Sequence, residues 1–346
     1  MSEYSRVFLK NKEEQEIEQG YPWVFDNEIS HVKFLADDGS GFKTSSLEDC
    51  MITDGEVVDV YNKAGGFLGC GVINRKSKIT IRLIGRDHAD KVMQDPKSYW
   101  SKVVRNAVNI RGLYYDKTDS YRLIFGEADL IPGLVADRYY SNGKVYIVVQ
   151  FLALACEVFR KEILEALEES CKPYGIYERS DSSVRDKEGL EQVSGWIGQK
   201  RDGLLTIEEN GIKLEVDIIN GQKTGYFLDQ KNNRAEVAQL CRGKKVLDTF
   251  THTGAFGLNA VKGGAKEVIS VDISEEAVSM VNKNIALNGC EDKMKAVCAD
   301  VFDLLKEYEK TGEKFDVIIL DPPAFTKSAK LTRKLMADIK KSTYVL

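Results

Sequence analysis

The chain has 346 residues, of which 43 % are hydrophobic and 30 % charged, with a net charge of −5. That composition builds packed cores and excludes a disordered, collagenous or mucin-like chain. The longest apolar stretch, residues 145–156 with Gln150 inside it, is shorter than the roughly 20 residues a membrane span needs, and the N-terminus carries no secretory h-region, so no membrane partner and a cytoplasmic location are expected.

The first part reads as β-rich. Residues 55–61 alternate in hydropathy, Ala64-Gly65-Gly66 turns, residues 67–73 form a glycine-laced strand and residues 79–84 another. Short strands at this spacing predict a small barrel or sandwich. Asp95-Pro96 opens a helix with Tyr99, Val103, Val104, Ala107 and Ile110 on one face. Strands are predicted at residues 121–125 and 134–138. Asn142-Gly143 signals a type I′ hairpin before a strand over residues 145–151. Residues 157–170 read as an amphipathic helix with Val158, Ile163, Leu164 and Leu167 apolar, and residues 175–178 as a short strand. Asn210-Gly211 is a second hairpin turn, joining residues 204–207 to 212–218. From about Lys244 the pattern becomes β-α alternation. Strands are predicted over residues 245–247, 267–271, 295–298 and 315–320, with helices over 254–261, 275–288 and 301–308. Such alternation makes a parallel, doubly wound sheet, with ligands at the carboxyl ends of the strands.

Seven cysteines are scattered without CxxC spacing, and three histidines stand far apart. Neither a disulfide framework nor a metal site is expected, and free thiols fit a reducing compartment. Charge is uneven. Residues 63–105 hold ten Lys/Arg against three acids. A local excess of that size suits phosphate contact, and Lys76, Lys78 and Arg82 are the candidate RNA-binding residues. A solvated lysine-rich face is the plain alternative.

Four acids follow strands in the β-α part. Asp248 ends the first strand and precedes Thr249-Phe250-Thr251-His252-Thr253-Gly254. This turn lacks the glycines of a dinucleotide fingerprint, and its acid would repel phosphate. An acid there suits S-adenosylmethionine, whose methionine end carries an ammonium and a sulfonium. Asp272 ends the second strand, 24 positions on, where a carboxylate accepts ribose hydroxyls or caps the following helix. Asp300, with Phe302 nearby, follows the third strand and suits the adenine amine and ring. Asp321-Pro322-Pro323-Ala324-Phe325 ends the fourth. The Pro pair stops the strand and leaves a rigid loop suited to holding a planar base.

These motifs resemble class I S-adenosylmethionine-dependent methyltransferases. The segment from Gly221 through Gly225-Tyr226-Phe227 to Arg234, with Gly20-Tyr-Pro-Trp-Val-Phe25, Ser120-Tyr-Arg-Leu-Ile-Phe-Gly-Glu127, Ile131-Pro-Gly133 and Tyr177-Glu-Arg-Ser-Asp181, is similar to one RNA-modifying branch. That branch is the bacterial 23S ribosomal RNA large-subunit cytosine-C5 methyltransferases. The resemblance implies an α/β class I methyltransferase domain (residues 206–346), a central α+β domain (85–205) and an N-terminal PUA-like β-barrel (1–84). It implies S-adenosylmethionine as cofactor and 23S ribosomal RNA as partner. Tyr226, Asp229 and Arg234 would hold the methionine end. Asp248, Phe250, Thr253 and Gly254 would line the cofactor turn, Asp272 the ribose, and Asp300 and Phe302 the adenine. Asp321, with Pro322, Pro323 and Phe325, would position the target base. Cytosine-C5 chemistry needs a thiolate. In the resembled family it follows the Asp-Pro-Pro motif by some forty residues, together with three further sheet strands. This sequence ends 25 residues after Asp321 with no cysteine after Cys298, so a truncated, incomplete catalytic domain is expected. The alternatives are methylation of guanine N7 or an exocyclic amine, and non-catalytic RNA binding.

Overall fold

The computed structural model describes residues 4–36 and 41–322. Pro323 and Phe325 lie outside these described residues. The chain forms two compact units, Met1–Arg201 and Asp202–Leu346.

In chain order the first unit opens with β1 (Arg6–Leu9), α1 (Glu14–Glu18), β2 (Trp23–Phe25), β3 (Ile29–Leu35), β4 (Phe42–Ser45), β5 (Val57–Tyr61), β6 (Phe67–Ile73) and β7 (Ile79–Gly85). These strands make one sheet in the order β2-β7-β6-β5-β1-β3-β4. The hydropathy pattern predicts only β5 to β7. Three- and four-residue strands such as β1 and β2 are too short for periodicity to reveal. Alternation buries Val7, Leu9, Val32, Val58, Val60 and Ile81 in a common core.

The same unit continues with α2 (Ala89–Gln94), α3 (Pro96–Arg111), β8 (Tyr121–Phe125), β9 (Leu134–Ser141), β10 (Lys144–Phe151), α4 (Leu154–Glu157), α5 (Arg160–Cys171), β11 (Gly175–Ser180) and β12 (Val193–Ile197). The sheet order is β12-β11-β10-β9-β8, with β10 and β11 parallel. Asp95 caps α3 by accepting from the Ser98 amide at 3.0 Å, and Pro96 occupies its first turn. Val103, Val104 and Ala107 are buried as expected, with Trp100 buried beside them, but Tyr99 is only half-buried and Ile110 is 48 % exposed. It lies in the last turn of the helix, which is tied down instead by Arg111 to Asp129 at 2.7 Å. The single helix expected over residues 157–170 is broken at Val158 and Phe159. Phe159 leaves helical geometry and packs its ring 5.1 Å from that of Trp100, turning Val158 outward to 41 % exposure. The hairpin at Asn142-Gly143 forms with both residues at positive φ, 50° and 77°, as a type I′ turn requires.

The second unit begins with the hairpin β13 (Leu204–Glu209) and β14 (Ile212–Asp217), joined at Asn210 and Gly211 with φ 54° and 71°. Then come α6 (Lys231–Leu240), β15 (Lys245–Thr249), α7 (Ala255–Lys262), β16 (Glu267–Asp272), α8 (Glu275–Leu287), β17 (Met294–Cys298), α9 (Val301–Thr311) and β18 (Val317–Leu320). The described strands form a parallel sheet in the order β17-β16-β15-β18. The chain leaves β15 to one side for β16 and β17 and returns on the other as β18. The strand order therefore reverses at β15, and the crevice beyond the carboxyl ends there is where such sheets bind ligands. The described strands form the α/β, doubly wound arrangement that the resemblance implies. Among the described residues no helix is long and apolar enough to cross a membrane, and no group of three or more His, Cys, Asp or Glu could hold a metal ion.

Candidate active site

A cavity of about 350 Å³ opens at that crevice. Its walls come from the turn after β15 (Phe250, Thr251, His252 and Thr253), the end of β16 (Asp272, Ile273 and Ser274), the start of α7 (Ala255 and Phe256), the segment before α6 (Tyr226, Phe227 and Gln230), Arg234, and Asp321-Pro322 after β18.

The turn after β15 is held open by Asp248. Its buried carboxylate accepts from the Thr251 hydroxyl, from Ser270 Oγ at 2.9 Å and from the Gly257 amide at 3.0 Å. Burial pushes this acid up to about 6, against the three donors, which favour its charge. The chain then takes left-handed φ at Phe250 (56°), His252 (53°) and Gly254 (80°). Non-glycine residues rarely adopt such angles, and where they persist the surroundings hold them. At Gly254 the need is also steric, since a Cβ would stand 2.9 Å from Val281 Cγ1. Thr249 Oγ1 donates to the Ile319 carbonyl at 2.7 Å, locking β15 to β18 beneath the crevice. Thus Asp248 braces the turn from behind and does not line the cavity, while Phe250 and Thr253 do. Gly254 starts α7 and lies outside the lining.

Asp272 does face the cavity. One carboxylate oxygen accepts the His252 amide at 2.9 Å and the other the Ser274 amide at 3.1 Å. A carboxylate offers about four acceptor sites, so two remain for ligand hydroxyls. The helix cap of α8 is Ser274, which accepts from Ala277 at 3.2 Å. Asp272 therefore supports the turn without serving as the cap. Burial lowers the His252 imidazole below its ordinary value and Arg234 adds to this, while Asp272 opposes it. A neutral ring thus faces the cavity at neutral pH.

Arg234 and Tyr226 line the cavity from below and share one partner that the sequence did not reveal. Glu209, buried at the end of β13, accepts from Arg234 Nε at 2.6 Å, from Nη2 at 2.8 Å and from the Tyr226 hydroxyl at 3.0 Å. Arg234 Nη2 also donates to the Phe227 carbonyl at 2.9 Å. The Asn210-Gly211 turn signalled the hairpin but gave no reason to link its glutamate to an arginine 25 positions away. Asp229 faces outward and pairs with Lys223 at 3.1 Å, outside the lining. Asp300 caps α9 through the Phe302 and Asp303 amides at 2.8 and 3.1 Å. Neither Asp300 nor Phe302 lines the cavity, although the Phe302 ring meets Phe250 edge-on at 6.2 Å. Asp321 lines it, with an oxygen 3.5 Å from Gln230 Nε2.

Comparison with known proteins agrees with this geometry. A family profile described as S-adenosylmethionine-dependent methyltransferase matches residues 183–342, and one described as a PUA-like domain matches residues 7–86. The chain is 37 % identical over 326 residues to the ribosomal RNA large subunit methyltransferase I of Photobacterium profundum, covering 93 % of this chain and 77 % of that protein. The chain belongs to the ribosomal RNA large subunit methyltransferase I family. A solved structure from Streptococcus mutans, described as a SAM-dependent methyltransferase, shares the fold at TM-score 0.75 and 24 % identity, over 96 % of this chain and 81 % of that one. Another, of a protein described as a methyltransferase complexed with SAH, matches at TM-score 0.76 and 24 % identity with the same coverage. Members of this family are enzymes that use S-adenosylmethionine. The cavity fits that cofactor: an acid with spare acceptor sites stands at the second strand end, the walls are aromatic and apolar, and a buried guanidinium lies at the opposite side.

The candidate RNA-binding residues lie in the first unit. Lys76 and Lys78 are exposed in the turn between β6 and β7. Arg82 is not: its side chain is 11 % exposed and bonds Glu127 at 3.0 Å and Glu188 at 2.9 Å. Strand alternation points it away from the core that Ile81 and Leu83 enter, onto Glu127 and Glu188, so it is not a free phosphate contact.

Proposed function

We propose that this chain is a methyltransferase of 23S ribosomal RNA and that its family reaction is transfer to cytosine C5. The observation carrying the reading is Asp272, held by two backbone amides with acceptor sites left over at the end of β16, on a cavity that Asp321 also lines. The relative from Photobacterium profundum, named for the large ribosomal subunit, supports the substrate. When bound, S-adenosylmethionine supplies an electrophilic methyl group. Asp272 accepts the ribose hydroxyls. Arg234, oriented by Glu209 and flanked by Tyr226, holds the methionine carboxylate, and Asp229 stays with Lys223. Phe250 and Ile273 wall the adenine, with Asp300 and Phe302 at its outer edge. Thr253 closes the turn. Asp321 and Pro322, with Pro323 and Phe325 beyond the described residues, receive the target base. Lys76 and Lys78 contact phosphates.

Cytosine C5 is a weak nucleophile. A thiolate adding to C6 makes the ring enamine-like, C5 takes the methyl, and a base then removes the C5 proton and expels the thiol. None of the seven cysteines lines the cavity. Burial pushes Cys70 and Cys156 up to about 12 and Cys290 above its ordinary value. A second reading is transfer to guanine N7 or an exocyclic amine, whose lone pair needs no thiol. Labelled methyl transfer to unmodified 23S RNA, with nucleoside analysis, separates the readings. The first expects 5-methylcytidine only when the sequence is joined to a segment that brings a cysteine beside Asp321. Methylguanosine or N-methylated product from the 346-residue chain supports the second. No product from either form overturns the enzymatic reading in favour of RNA binding alone.

A further inference from the structure

Tyr174 follows α5 and precedes β11, and its side chain is exposed. Two cations pack against its ring: Lys144 Nζ lies 3.8 Å and Arg201 Cζ 4.3 Å from the centroid. Arg201 Nε also donates to the Tyr174 carbonyl at 3.2 Å, which fixes the guanidinium in place. Trp196 of the edge strand β12 and Tyr146 of β10 complete the cluster, with Tyr146 5.5 Å from Tyr174 and 6.5 Å from Trp196 between centroids. The packing demands glycine at position 175, where a Cβ would meet Trp196 Cζ3 at 2.8 Å and Arg201 Cγ at 3.1 Å. Lys172 and Lys200, both exposed, flank the cluster in sequence.

Among the described residues none of Lys144, Lys172, Lys200 and Arg201 has a carboxylate within ion-pair distance. Six other arginines of the same unit, Arg75, Arg82, Arg111, Arg122, Arg160 and Arg185, each hold an acid, while Arg86 and Arg138 bond backbone carbonyls. Two like charges fixed on one ring repel each other. The ring quadrupole holds each of them individually, and an anion seated beside both relieves their repulsion. The aromatic neighbours add stacking surface, and an arginine plane itself stacks on bases.

We infer that this cluster at the β12 edge is a clamp for single-stranded RNA, with Lys144 and Arg201 on successive phosphates and a base stacked on the Arg201 plane. Identifying the polyanion as RNA rests on the proposed methyltransferase function. The clamp residues lie outside the basic stretch at residues 63–105 in sequence and add to it as a contact.

The test is binding of an unstructured RNA oligonucleotide to the full chain across a salt series. Each phosphate of a single strand that is no longer neutralised lowers the slope of log K against log salt by about 0.7. Lys144→Gln combined with Arg201→Gln should therefore flatten the slope by about 1.4, while S-adenosylmethionine affinity stays at the native value. Lys144→Arg combined with Arg201→Lys keeps the charge and should keep the slope. A flattened slope in the first variant and a retained one in the second support the clamp. An unchanged slope in the first variant, with the methyl donor still bound, overturns the clamp and leaves the ribosomal RNA reading standing. A native chain with no salt-dependent RNA binding overturns both.

Discussion

The two units hold their acids differently. In the first, the buried acids Asp137, Glu178 and Glu188 each meet a guanidinium, while buried Asp59 meets the His88 ring and the Ala89 amide, each at 2.8 Å. Asp137 is held by Arg122 at 2.9 and 3.0 Å, Glu178 by Arg160 at 2.8 Å, and Glu188 by Arg82 at 2.9 Å with Ser77, Asn74 and the Leu154 amide completing its shell. In the second unit the strand-end acids Asp248, Asp272 and Asp300 have no cation within ion-pair distance among the described residues. They take backbone amides and hydroxyls instead. A carboxylate saturated by a guanidinium has little left to offer a ligand. One held by two amides is fixed in place and still has free acceptor sites. The first arrangement fastens a fold, and the second shapes a loop and reserves chemistry for a guest. Glu209 with Arg234 is the instructive exception inside the second unit, an ion pair used to orient a cavity-lining cation.

The largest expected effect breaks the first arrangement. Removing one partner of a buried ion pair costs about 3–5 kcal/mol because the other charge stays buried. Arg82→Ala should destabilise the first unit by that order in chemical denaturation. A loss below about 1 kcal/mol would place it with surface pairs and erase the contrast.

The next effect opposes the units through pH. Burial works to raise Glu188, but its hydrogen bonds and Arg82 outweigh it and hold the acid below its ordinary value. Its contribution to stability is present above the unfolded value and is lost as pH falls through the folded one. Asp248 is the reverse. Raised from 3.8 to about 6, it contributes stability that is complete below about pH 3.8 and is lost as pH rises through about 6. A shift of that size corresponds to roughly 3 kcal/mol across the window. Urea unfolding of the second unit at pH 4 and pH 6.5 should show Asp248→Asn losing that dependence relative to the native chain. Parallel pH profiles for the two forms would mean that Asp248 ionises freely. A smaller effect, about 1–3 kcal/mol by strain and overpacking, is expected for Gly254→Ala by thermal unfolding.

Much of this contrast was legible in the sequence. The β-α alternation after Lys244 gave the order of strands and helices, and the acid after each strand located the crevice, because a parallel sheet places those turns on one edge. The two Asn-Gly turns announced their hairpins. The role of each acid was not legible. Asp248 and Asp272 occupy equivalent positions in the pattern, yet one points behind the turn and the other into the cavity. That difference depends on left-handed residues at Phe250 and His252, which no propensity predicts. Arg82 stands in a basic stretch, but its acids, Glu127 and Glu188, lie 45 and 106 positions away. Long-range pairing of this kind leaves no local signal. Glu209 was missed for the same reason, and β1, β2 and β4 because short strands carry little periodicity.

The central claim is that the amide-held, cation-free acid at the end of β16 receives the cofactor. Calorimetric titration of S-adenosylmethionine into the native chain and into Asp272→Ala tests it directly. Hydrogen bonds to a charged acceptor are worth about 1.5–3 kcal/mol each, so the substitution should weaken binding by at least about tenfold, with Asp300→Ala as a less affected companion. Equal affinities in the native and Asp272→Ala chains would contradict the account.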